Sequence, residues 1–83
     1  MAILAIVDGM KIYVYANDHG RPHFHVLVAE FRAVIDIDTT HLIRGHLPKA
    51  RLRKILAWAK PRRGQLFEAW DRARGGLPVE RIV

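Results

Sequence analysis

The chain has no cysteine. That excludes disulfides and thiolate metal ligands, so any site chemistry rests on nitrogen and oxygen donors. It also has no long apolar stretch. The opening run, Ala2 to Val7, falls far short of the ~20 residues that a membrane-spanning helix needs. No basic segment precedes it, so it does not read as a secretory signal. Acidic residues are scarce: 8 Asp+Glu stand against 14 Lys+Arg, for a formal charge of +6. A basic balance of this size favours nucleic acid, an acidic protein or an anionic surface as partner. A solvated helix face is the plainer alternative. These absences predict a cytoplasmic protein with no membrane partner.

What is present is enough for a folded domain. Hydrophobic residues make up 51% of 83 residues, which suits one small domain spanning 1–83. A core of that size is limited, so a homo-oligomer or a bound partner would add stability.

Residues 1–46 read as β-rich. Asp8-Gly9 separates two strand-like runs and predicts a tight hairpin. That hairpin pairs Val7 with Met10, Ala5 with Ile12 and Ile3 with Val14. A second hairpin turning at Ala29-Glu30 sets Phe24, Val26 and Val28 opposite Ile35, Ala33 and Phe31, all apolar. The other face of the same register pairs His25 with Val34, Leu27 with Arg32 and His23 with Asp36. His41 to Gly45 suggests a short fifth strand.

Residues 48–74 read as helical. Pro48 suits a helix start, and Leu52, Ile55, Leu56 and Ala59 recur at helical spacing. Pro61 predicts a kink, yet Leu52, Ala59, Leu66 and Ala73 keep phase across it. Gly75-Gly76 ends the helix, and 77–83 forms an apolar tail that docks on its own domain or on another chain. The expected fold is α+β: an antiparallel sheet of four to five strands followed by a C-terminal kinked helix or two near-collinear helices.

The chemistry concentrates in Asn17-Asp18-His19-Gly20-Arg21-Pro22-His23-Phe24-His25. His23 and His25 share one face of a strand, and His19 precedes them in a loop able to return over the pair. Imidazole binds metals and moves protons. The three histidines therefore form a candidate site for a divalent metal such as zinc, with Asp18 or Asp36 as a further ligand or orienter. The competing reading is metal-free RNA cleavage. There His19, His23, His25 and Asp36 form the candidate catalytic set, with Asp36 fixing the tautomer of His23. Arg21, Arg32, Lys49, Arg53 and Lys60 would hold the phosphates. A third reading gives the loop residues a purely structural role. Tyr13 and Tyr15 are candidates to stack bases, or simply cover the sheet.

The histidine segment resembles domain-of-unknown-function family 4160, a group of small bacterial proteins. The resemblance extends through Gly45-His46-Leu47-Pro48-Lys49-Ala50, Trp58 and Leu66-Phe67-Glu68-Ala69-Trp70. The chain departs at Gly20-Arg21-Pro22, where two adjacent prolines are usual, and at Pro61. Asn17, Asp18, His19, Pro22, His23 and His25 match the family's motif. The resemblance implies a small protein partner encoded by a neighbouring gene, in a toxin–antitoxin-like pair. The resulting expectation is the basic member of such a module, binding or cleaving RNA through its histidines. The alternative is a non-catalytic protein- or metal-binding module built on the same histidines.

Overall fold

Asp8 and Gly9 both take positive φ, 49 and 79, the backbone that a two-residue hairpin turn requires. They join β1 (Ala2–Val7) to β2 (Met10–Val14). In this computed structural model, which describes residues 1–82, three strands follow: β3 (His23–Val28), β4 (Phe31–Asp36) and β5 (Leu42–Gly45). The sheet is an antiparallel meander in the order β1-β2-β3-β4-β5. Helix α1 (Lys49–Ala59), a 3₁₀ turn at Lys60–Arg62 and helix α2 (Arg63–Arg74) complete an α+β fold. The final residue of the expected tail, Val83, lies outside the described residues. Among those residues no helix is long and apolar enough to cross a membrane.

The β3–β4 register is the expected one throughout, including His23 opposite Asp36. The first hairpin departs from expectation. Val7 pairs with Met10 and Ala5 with Ile12, but Ile3 lies opposite Tyr13 rather than Val14, with an irregularity between Ile3 and Ala5. Such a bulge turns two consecutive side chains to one face. Leu4 thereby joins Ala5 in the core, and Ile3 is only half-buried. An apolar run on both faces gives alternation nothing to choose between, so packing decides.

Ile12, Val14, Phe24, Val26, Ala33 and Ile35 form the inner face of the sheet and are buried. The helices cover them through Ile55, Ala59, Leu66, Ala69, Trp70 and Ala73. Leu52 and Leu56, the other apolar residues of the α1 pattern, pack against that core half-buried. They form the neighbouring i,i+4 row beside Ile55 and Ala59, the two buried residues of α1.

Pro61 cannot donate the backbone bond of a continuous helix, and the chain passes it as a single 3₁₀ turn. Arg62 braces that turn, with Nη1 donating to the Trp58 carbonyl at 2.8 Å and the guanidinium 5.1 Å from the indole centroid. Gly76, at φ 71, ends α2 with Leu77 N–H bonded to Arg72 O and Gly76 N–H to Ala73 O, a Schellman closure. The tail then returns to its own sheet, where Ile82 N–H donates to Leu4 O at 2.7 Å.

Candidate functional site

The segment between β2 and β3 decides the site. Asp18 N–H closes a turn on Tyr15 O at 3.5 Å, and Gly20 reverses the chain at φ 86. This folds Asp18 back over β3. Its Oδ2 lies 2.9 Å from His25 Nε2 and 3.2 Å from His23 Nε2. One donor atom from each of Asp18, His23 and His25 lies within 4.8 Å of the other two. His19 is exposed and does not belong to this group. The loop presents Asp18, and not its neighbour, to the strand pair. Both are loop residues, so alternation could not choose between them.

The rings are held from several sides. His23 is 6% exposed because Trp70 of α2 packs on it with centroids 4.7 Å apart. Its Nδ1–H donates to the Arg21 carbonyl at 2.7 Å. Its Nε2 is buried and has no hydrogen-bond partner. His25 stacks on Tyr13, 5.1 Å and 12° apart, and meets Tyr15 edge-on at 4.9 Å. Burial, together with the neighbouring Tyr15, pushes the Tyr13 hydroxyl above its usual range.

Asp36 sits opposite His23, yet its carboxylate serves other groups. Oδ2 accepts from Arg21 Nε at 2.7 Å and Oδ1 from Thr39 N–H at 2.9 Å. The Arg21 hydrogen bond, helped by Thr39 and opposed by burial, lowers its pKa to about 2. Asp36 is therefore the anchor of the β4–β5 turn, with Arg21 as its counter-ion. Arg21 also lies 3.8 Å from Asp38, so its charge is partly spent within the chain.

Past His23, which Trp70 covers, the same face of the sheet opens into a cleft of about 290 Å³, lined by Tyr13, Tyr15, His25, Arg32, Ala33, Val34, Arg44 and Gly45. Tyr15, Arg32 and Arg44 are exposed. His25 joins the cleft to the Asp18 cluster. Arg44 is an addition to the residues anticipated from sequence. It enters because β5 sets Arg44 opposite Val34, with an irregularity between Leu42 and Arg44, and no local pattern encodes that pairing. The anticipated phosphate-binding residues divide between two surfaces. Arg32 stands on the open face, whereas Lys49 and Arg53 are exposed on α1 and Lys60 on the 3₁₀ turn, behind the sheet. His41 and His46 are exposed and stand apart from the cluster.

No curated protein and no solved structure matches the chain. One family model does, over residues 9–71, a span that runs from the first hairpin turn almost to the end of α2 and takes in the whole histidine segment. The chain belongs to that family, described as Domain of unknown function (DUF4160).

Proposed function

We propose that this protein binds single-stranded RNA on the open face of its sheet, as the basic member of a bacterial toxin–antitoxin-type module in the cytoplasm. The observation that carries the reading is the cleft where Tyr15 and His25 stand beside Arg32 and Arg44. Unpaired bases stack on aromatic and imidazole faces, while guanidinium groups take the phosphates. A sheet surface serves well because alternation places such side chains side by side, a strand spacing apart. Tyr15 is 40% exposed, which leaves a ring face for a base. The net charge of +6 adds long-range attraction for a polyanion.

Binding is favoured over cleavage. Internal attack by a 2′-hydroxyl needs an acid and a base on the scissile phosphate. Of His19, His23 and His25, only His25 lines the cleft. The second part of the reading is a small acidic protein from the neighbouring gene, which would complement the surplus of cations.

The test is fluorescence anisotropy of a labelled single-stranded RNA across a salt series. Each phosphate contact contributes a slope of about 0.7 in log K against log salt. Arg32→Gln with Arg44→Gln should therefore flatten the slope by about 1.4. Lys49→Gln, Arg53→Gln and Lys60→Gln together should change it less. Absence of binding at low salt, or a larger effect from the helix triple, would refute the open-face reading. Co-purification with the neighbouring gene product tests the module.

A further inference from the structure

The RNA reading leaves one feature of the site unused, the Nε2 atom of His23. A buried ring nitrogen without a partner is destabilising, and here the penalty is sharpened by what faces it. Nδ1 spends its hydrogen on the Arg21 carbonyl. A neutral ring then presents its Nε2 lone pair to Asp18 Oδ2, 3.2 Å away. Two acceptors confront each other inside a pocket walled by Trp70. A cation between them turns that repulsion into attraction.

We propose that Asp18, His23 and His25 bind a divalent transition-metal ion, with zinc the best match. In a tetrahedral site with bonds of about 2.0–2.1 Å, neighbouring donors lie about 3.3 Å apart. Asp18 Oδ2 stands 3.2 Å from His23 Nε2 and 2.9 Å from His25 Nε2, so small side-chain rotations admit the ion. Two imidazoles and one carboxylate suit zinc and its first-row neighbours better than magnesium or calcium, which prefer all-oxygen shells.

The surroundings are those of a prepared site. The Arg21 carbonyl fixes the tautomer of His23 with Nε2 free to ligate. Trp70 and Tyr13 hold the two rings in place. Three protein donors leave one position of a tetrahedron for water. The ion would sit beside the cleft, since His25 belongs to both, but its binding does not depend on RNA.

The experiment uses the untagged full chain, stripped with chelator and titrated with zinc by calorimetry, with metal content measured after gel filtration. One zinc per chain is expected. Loss of an outer-shell partner commonly weakens a metal site by 10–100-fold. Asp18→Asn and His25→Gln remove direct donors and should each weaken binding by at least that much. His19→Gln should leave it unchanged. Cobalt in place of zinc should give tetrahedral absorption bands that both donor variants lose. Circular dichroism checks the fold of each variant, and His25→Gln decides the matter if His23→Gln does not fold. No saturable uptake by the wild type would overturn the proposal and leave a proton shared within the cluster. Equal affinity in Asp18→Asn and His25→Gln, or loss in His19→Gln, would overturn the assigned donors. Neither result bears on the salt response of Arg32 and Arg44, so this site and the RNA surface fail separately.

Discussion

Replacing Arg21 with alanine separates a structural latch from a phosphate ligand. Asp36 is 2% exposed, and its carboxylate is held to about 2 from 3.8 chiefly by the Arg21 hydrogen bond. At about 1.36 kcal/mol per pKa unit, the charged carboxylate contributes about 2 kcal/mol. Thr39 N–H still bonds Oδ1 in the variant, so part of that survives. The truncation also leaves a buried charge short of its partner, which adds to the loss. A net cost of about 2 kcal/mol at neutral pH lowers the melting temperature of a domain this size by roughly 10 °C.

The pH dependence follows from the direction of the shift. A lowered carboxylate pKa stabilises the fold fully above the unfolded value near 4. That stability is lost as pH falls through about 2, where both states are protonated. The gap between wild type and Arg21→Ala should therefore be widest at neutral pH and close as pH approaches about 2. Urea unfolding followed by the fluorescence of Trp58 and Trp70 measures it. A gap independent of pH would refute the assignment. So would an unchanged stability combined with lost RNA binding, which would make Arg21 a phosphate ligand.

Two further outcomes test the open face. Tyr15→Ala should weaken single-stranded RNA binding by about 1–3 kcal/mol, the usual worth of one stacked base. Its melting temperature should barely change, because the ring is 40% exposed. Gly45→Ala should destabilise by about 2–4 kcal/mol in thermal unfolding, through a strained backbone and overpacking combined. Its φ is +82, and a Cβ there would collide with the Arg32 carbonyl and come within 2.9 Å of Ala33 Cα. A Gly45→Ala variant as stable as wild type would show that β5 shifts freely against β4.

Sequence reasoning reached the parts of this protein governed by short-range patterns. The Asp8-Gly9 turn, the register of β3 on β4 and the shared phase of Leu66 and Ala73 with Ala59 are each set by neighbours in the chain. A strand repeats every two residues and a helix every 3.6, so one apolar face suffices to orient it. The histidine segment was legible as a site because three imidazoles in seven residues are a local fact. Which donors meet was not. Asp18 displaces His19 because the Asn17–Pro22 loop folds to one particular side. Asp36 answers Arg21 rather than His23 because that cation and the Thr39 amide satisfy its charge more completely than a ring whose Nδ1–H is already spent on the Arg21 carbonyl. Leu4 enters the core through a bulge that an apolar run on both faces cannot announce. The basic residues form one list along the chain, but the sheet stands between Arg32 and Lys49. Each of these depends on contacts between distant segments, where packing and charge compensation choose among arrangements that the local pattern leaves equal.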